Sequence, residues 1–473
     1  MTGTSGLEDI STRLQRIAKQ SRERPEMVWT TLAHHIDVEL LKEAYRRTRK
    51  DGSTGIDHET AKAYAKNLEA NLRSLNERFH SGTYRAPPVR RCYIPKGNGK
   101  DYRPIGIPTT EDKILQRAVT MILEAVYEQD FLNSSYGFRP GRSAHQALEG
   151  LREVTALMKG AHLVEVDIEK FFDTLDHNRL RDFLDLRVRD GNLRRIIDKW
   201  LSTGVLEDGK LIHPETGTPQ GGVISPLLAN IYLHHVIDKW FEEVVKPRLS
   251  RKAFLIRYAD DMVIACDEER DARRIMEVLP KRFGRYGLTL HPKKTRLVWF
   301  KKPTGSGEDR DSFDFLGFTH YWGKSRSGYW VIRKKTAKGR LTRAIKRVAE
   351  FCRLFRHRPL EWQHQKLVVK LKGHCGYYGV TGNARSLEQF REEVRKLWRK
   401  WLNRRAQHRT MYWDRYVQLL KSYPLPAMRV VHSIYRRDSP VPLETIKRNG
   451  TVPTIRNLME RDSEPVFLRS RMR

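Results

Sequence analysis

The sequence predicts an α+β fold followed by a basic helical region, and three observations carry that reading. From about residue 85 to 320, short β-like runs alternate with helical stretches. Two of those runs, Leu163–Val166 and Phe254–Arg257, lead into aspartates. From about 334 to 420 the pattern becomes long, basic and helical.

Composition sets the outer bounds. The chain has 473 residues, 39% of them hydrophobic and 10% aromatic, enough to build a core and too many for wholesale disorder. Roughly two to four domains are expected at this length. The cysteines Cys92, Cys266, Cys352 and Cys375 form no CxxC pair, which argues against a disulfide scaffold or a cysteine zinc module and fits a reducing cytoplasm. No apolar run approaches the roughly 18–20 residues of a membrane span. The opening residues show no basic-then-apolar signal pattern. A soluble intracellular protein is expected.

Charge is uneven. There are 90 Lys+Arg against 57 Asp+Glu, a formal +33. Residues 301–473 hold 40 basic and 15 acidic residues, whereas residues 1–300 hold 50 and 42. Trp398, Trp401, Tyr412 and Trp413 lie among Arg395, Lys396, Arg399, Lys400, Arg404 and Arg405. Cations interleaved with aromatics suit a polyanion whose bases can stack, so a nucleic acid is the expected partner.

Along the chain, residues 1 to about 84 read as a helical extension, with the apolar set Leu40, Leu41, Ala44 and Tyr45 at helical spacing. Lys50–Gly55 breaks that pattern with turn residues. The α+β region spans 85–325, with loop-like residues at 302–311. A helical basic region follows at 326–435, then a basic tail at 436–473 punctuated by Pro440 and Pro442.

Three aspartates stand apart. Asp167 ends an apolar run and precedes Ile168-Glu169-Lys170-Phe171-Phe172. Asp260 and Asp261 lie between two apolar strands in Arg257-Tyr258-Ala259-Asp260-Asp261-Met262-Val263, the pattern of a hairpin with two carboxylates on a tight turn. Such like charges at the ends of buried strands are costly unless a cation compensates them. A pair of divalent ions roughly 3.5–4 Å apart does so, and hard oxygen ligands suit Mg²⁺. An Asp-Asp pair alone reads more simply as an ordinary turn. The ordered series around it changes that reading: Tyr93-Ile94-Pro95-Lys96, Arg103-Pro104-Ile105-Gly106-Ile107-Pro108, Gly217-Thr218-Pro219-Gln220-Gly221-Gly222, Gly287-Leu288-Thr289-Leu290 with Lys293-Lys294-Thr295, and Phe315-Leu316-Gly317-Phe318.

In that order the motifs resemble the reverse transcriptase/maturase proteins encoded by bacterial group II introns, over about residues 35–435. Two further runs carry the likeness: Ser135-Tyr136-Gly137-Phe138-Arg139-Pro140-Gly141-Arg142-Ser143 and Lys372-Gly373-His374-Cys375-Gly376-Tyr377-Tyr378-Gly379-Val380. The resemblance implies a right-hand polymerase, with fingers and palm followed by an all-helical thumb/maturase domain. It also implies an RNA-directed DNA polymerase that takes an RNA template, a DNA primer and dNTPs, binds its parent intron RNA to assist splicing, and engages target DNA.

Residue roles follow from the same resemblance. Asp167, Asp260 and Asp261, with the Ile168 carbonyl, would hold two Mg²⁺ ions. Lys96, Arg103 and Gln220 would contact the nucleotide, and Phe172 would crowd a 2′-hydroxyl. Lys294, beside the rival Lys293, would protonate pyrophosphate. Arg139 and Arg142 would meet template phosphates, the alternative for that run being a turn held by Pro140 and Gly141, while Leu316 and Gly317 fall where a primer-positioning turn is expected. Tyr377 and Tyr378 read first as packing residues. Many relatives carry an endonuclease domain with paired cysteines; after Tyr435 there is neither cysteine nor histidine, so that domain is expected to be absent. A host-adopted reverse transcriptase and a non-polymerising splicing factor remain the alternatives.

Overall fold

The computed structural model describes residues 3–95, 102–158, 160–207, 210–212, 217, 221–303, 311–325, 327–405 and 411–433. Its strands are β1 (Val89–Pro95), β2 (Tyr102–Ile107), β3 (Gly160–Val166), β4 (Val205–Glu207), β5 (Lys210–Ile212), β6 (Ala253–Tyr258), β7 (Asp261–Cys266), β8 (Arg296–Lys301), β9 (Ser312–Phe315), β10 (Phe318–Lys324) and β11 (Trp330–Thr336). They form three sheets, ordered β2-β1-β4-β5, β6-β7-β3-β8 and β11-β10-β9. The mixture of helix and strand agrees with the α+β expectation.

The chain divides into two compact units, Met1–Ala147 with Leu163–Leu297, and Leu148–His162 with the residues from Val298 onward. In the first unit the helix Thr110–Tyr127 is the central buried element. Ile114, Leu115, Ala118, Val119, Ile122, Leu123 and Val126 keep helical spacing and are almost wholly buried. Thr109 caps its start by accepting the Asp112 N–H. The helices Gly3–Glu23 and Val38–Arg47 pack against it, so the N-terminal region is helical as expected.

In the second unit the helices Lys338–Leu354, Leu360–Tyr378, Ala384–Asn403 and Trp413–Ser422 enclose a core of Val348, Cys352, Leu367, Leu371, Phe390, Val394 and Trp398. The all-helical region does not begin at 326, because β11 intervenes and the first of these helices starts at Lys338. The inward side chains of β11 include Lys334, which is buried against Glu149 at 3.4 Å. An inward lysine hides a strand from hydrophobic periodicity. Residues 436–473 lie outside the described residues. No helix among the described residues is long and apolar enough to cross a membrane.

Candidate active site

The hairpin forms as the sequence predicts. Strands β6 and β7 pair antiparallel with Tyr258 opposite Asp261, leaving Ala259 and Asp260 as a two-residue turn. Ala259 has φ 56°, the left-handed backbone that such turns require. Gly137 explains how that strain is accommodated. A Cβ on Gly137 would lie 2.4 Å from the Ala259 nitrogen and 2.9 Å from the Tyr258 carbonyl carbon. Only a glycine lets this segment lie against the turn. The same segment pairs with β6: Arg257 donates its N–H to the Ser134 carbonyl and accepts from the Tyr136 N–H, both at 2.8 Å. The Ser135–Ser143 run is therefore a buttress for the acidic turn.

Asp167 follows β3 and is held by the downstream motif. Its carbonyl accepts the His291 N–H at 2.8 Å, and the Glu169 N–H donates to Thr289 at 2.8 Å. Ile168 bridges Leu290 between those bonds, and neither bond uses its carbonyl. Thr295 contacts the Asp167 backbone through its hydroxyl at 3.3 Å. This pairing delivers Lys294, whose Nζ lies 3.1 and 3.2 Å from the two Asp167 oxygens. Lys293 contributes its backbone N–H to His291 Nδ1, and the ammonium paired with Asp167 is that of Lys294.

Burial pushes the Asp260 carboxyl above the ordinary aspartate range, and the charge of Asp167 adds to that push. Arg103 and Arg257 act in the opposite direction. The carboxylates thus interact through space and draw compensation from cations. Among the described residues no three acidic, histidine or cysteine side chains close a ready metal cage. The donor chemistry nevertheless fits a hard divalent ion: a half-buried carboxylate held above its ordinary range chiefly by desolvation and further by the charge of Asp167, whose own carboxylate is paired to an ammonium.

Phe171 and Phe172 separate cleanly. Phe171 is buried, while Phe172 is half-buried and meets the Phe171 ring edge-on at 5.3 Å. Both sit in the short helix Phe171–Thr174, entered through Lys170 at φ 48°. Gly217 (φ 90°) packs on that helix so closely that a Cβ would stand 2.6 Å from the Phe172 carbonyl oxygen. Gly221 (φ 114°) packs equally tightly on β2, where a Cβ would stand 2.5 Å from the Gly106 carbonyl oxygen. Its other close neighbour is Ile105, which shares a face of β2 with the exposed Arg103. Gln220, and Lys96 near the β1–β2 connection, lie outside the described residues.

Arg139 requires a correction. It was expected at template phosphates, yet its side chain is only 4% exposed and pairs with Glu128 at 3.0 Å. It also donates to the carbonyls of Leu132 (2.7 Å) and Ser135 (2.8 Å). Its donors are spent holding the turn before Gly137. Arg142 is half-buried, donating to Asn133 Oδ1 at 2.6 Å.

In the second unit, Leu316 (φ 49°) and Gly317 (φ 81°) form the two-residue turn between β9 and β10. Tyr377 donates its hydroxyl to the Leu316 carbonyl at 2.8 Å, and Tyr378 packs on Phe318. The basic-aromatic set divides. Trp398 is fully buried and donates to Gln363, so it is core rather than a stacking surface. Tyr412 and Trp413 are exposed, with the Arg399 guanidinium 4.2 Å from the Trp413 ring centre.

Several site-supporting residues escaped sequence reasoning. Asp112 is buried and accepts from Trp200 Nε1 (2.7 Å), the Tyr84 hydroxyl (3.1 Å) and Gln116 Nε2 (2.9 Å). Gln116 Oε1 accepts the Val223 N–H at 2.7 Å, fixing the chain just after Gly221 and Gly222. The available signal was a polar pair at i, i+4, Asp112 and Gln116, in step with the helix's run of buried apolar side chains. Arg257, inside an apolar strand, offered a similar signal.

The profile described as reverse transcriptase (RNA-dependent DNA polymerase) matches residues 94–320. The group II intron-encoded protein LtrA of Lactococcus lactis subsp. cremoris is 40% identical over 232 residues, 48% of this chain and 38% of that protein. The chain thus spans well under half of that relative. Protein YkfC of Escherichia coli K12 is 38% identical over 334 residues, 62% of this chain and 83% of that protein. The mitochondrial nuclear intron maturase 2 of Arabidopsis thaliana is 26% identical over 176 residues, 29% of this chain and 24% of that protein.

Proposed function

The chain belongs to the reverse transcriptase family, with group II intron-encoded proteins among its relatives, and from that premise we propose that it is an RNA-directed DNA polymerase extending a DNA primer on an RNA template with dNTPs. The observation that carries this reading is the β6–β7 hairpin, which carries Asp260 and Asp261 at its turn and whose β7 lies in the sheet beside β3, the strand that leads into Asp167.

Asp167, Asp260 and Asp261, with the Ile168 carbonyl, are the residues to hold two Mg²⁺ ions, which when bound lower the pKa of a primer hydroxyl and neutralise phosphate charge. The protein's own groups do the rest. Arg103, exposed on β2, grips the triphosphate; Lys96 and Gln220 belong to the same nucleotide-contacting set. Phe172 closes on the sugar and excludes a 2′-hydroxyl. Lys294 Nζ moves a proton toward the departing pyrophosphate. Arg142 faces the template, and the Leu316–Gly317 turn positions the primer.

A second role, binding the parent intron RNA to assist splicing, is favoured by the exposed Tyr412 and Trp413 beside Arg399 and by the names of the intron-encoded relatives. In that role the RNA performs the chemistry.

The deciding experiment is dNTP extension of a DNA primer on RNA with Mg²⁺, native chain against Asp260→Ala/Asp261→Ala. Extension by the native chain and its loss in the double variant supports the polymerase. A folded native chain that binds RNA yet never extends supports the splicing factor instead.

A further inference from the structure

Arg257 and Asp238 are both fully buried. A buried guanidinium is tolerable only when its donors are engaged. Arg257 donates from Nε to Asp238 Oδ1 at 2.8 Å, from Nη2 to Asp238 Oδ2, and from Nη1 to Asn230 Oδ1 at 2.9 Å. The same Nη1 donates to the Ala259 carbonyl at 3.1 Å. Asn230 passes the connection on, donating from Nδ2 to the Gly137 carbonyl at 2.8 Å. One side chain therefore ties a charged anchor and the buttressing glycine segment to the peptide that leads into Asp260.

The helix is shaped for this. In an unbroken α-helix Asp238 would sit about 80° around the axis from Asn230, eight residues earlier. The helix Ser225–Leu233 instead continues into a π-helical turn over His234–Asp238. Its wider winding brings Asp238 back toward the face of Asn230. Both acceptors then meet one guanidinium.

We infer that Arg257, held by Asp238 and Asn230, is a positioning residue for the metal-binding carboxylates: by fixing the Ala259 carbonyl it sets the direction in which Asp260 presents its oxygens to a divalent cation. Ala259 holds a left-handed backbone without being glycine, a conformation that persists only where its surroundings impose it. Gly137 restrains one side of the turn and Arg257 the carbonyl. This inference rests on the proposed metal-binding role of Asp260.

The test measures Mn²⁺ binding by electron paramagnetic resonance, alongside Tm and the Mg²⁺ requirement for extension. The variants are Asn230→Ala, Arg257→Lys and, as reference, Asp260→Ala. Asn230→Ala keeps the Arg257–Asp238 charge pair and is the variant expected to stay folded. Expected are Mn²⁺ affinities lowered about 10–100-fold in Asn230→Ala and Arg257→Lys, with the Mg²⁺ requirement raised to match. Native Mn²⁺ affinity in folded Asn230→Ala, with Asp260→Ala impaired, overturns the positioning role alone. Native affinity in Asp260→Ala as well overturns the metal reading beneath it. Loss of fold in both Asn230→Ala and Arg257→Lys makes the network purely structural and also overturns the inference.

Discussion

The ammonium of Lys294 bridges both carboxylate oxygens of Asp167, at 3.1 and 3.2 Å, across 127 residues of sequence. The lysine thus supplies the charge that a cation must share or displace. Lys294→Ala should lower the maximal extension rate by about 100-fold, the scale of lost general-acid help. Its Mg²⁺ half-saturation should stay level or fall, because no ammonium competes for Asp167. Lys294→Arg should keep the ion pair but not the rate, since a guanidinium is a poor proton donor. Steady-state extension against Mg²⁺ concentration checks both; an unchanged rate in Lys294→Ala removes the acid role.

Phe172 is half-buried where Phe171 is buried, so its ring has a free side. Phe172→Ala should reduce discrimination against ribonucleotides by roughly 10–200-fold, the range for reshaping a small apolar contact. Competing rNTP and dNTP in single-nucleotide extension reads this directly. Sugar selectivity equal to the native chain would return Phe172 to a packing role.

Gly137→Ala places a methyl group against the backbone of the acidic turn. Overpacking of this kind should cost about 1–3 kcal/mol of stability. Displacing the carboxylates by even an ångström should cost about 100-fold in extension. Activity should therefore fall far more than Tm, and a variant that loses stability but keeps its rate contradicts the buttress.

Burial pushes the Asp112 carboxyl from its ordinary 3.8 up to about 6, against the bonds from Trp200, Tyr84 and Gln116 that favour its charged form. The folded chain therefore keeps this proton to higher pH than the unfolded chain. The stability contributed by Asp112 is greatest below about pH 4 and declines as pH rises through 6. Asp112→Asn does not titrate, so its Tm deficit relative to the native chain should shrink between pH 4.5 and 7.5. Thermal melts across that range test the sign, and a constant deficit contradicts it.

Local chemistry made much of this protein legible. Apolar runs around Asp260–Asp261 specify a hairpin whatever surrounds them, because strand alternation and turn length act over a few residues. The helical N-terminal region was readable from the 3.6-residue spacing of its apolar side chains, whereas the Leu316–Gly317 turn came from the family resemblance. Arg139 was misassigned because an arginine in a polar, glycine-containing run looks solvent-facing until Glu128 and two carbonyls are seen to surround it. Likewise Trp398, amid basic residues, turned out to be core.

Side-chain type and spacing along the chain thus predicted the Asp260–Asp261 hairpin, and the ordered motifs carried the family resemblance. The roles of Gly137 at Ala259, Gln116 at Val223, Arg257 on Asp238 and Lys294 rather than Lys293 at Asp167 emerged from the folded chain. Each depends on partners that meet only when the chain closes on itself, and no local periodicity encodes which distant carbonyl a buried donor will find.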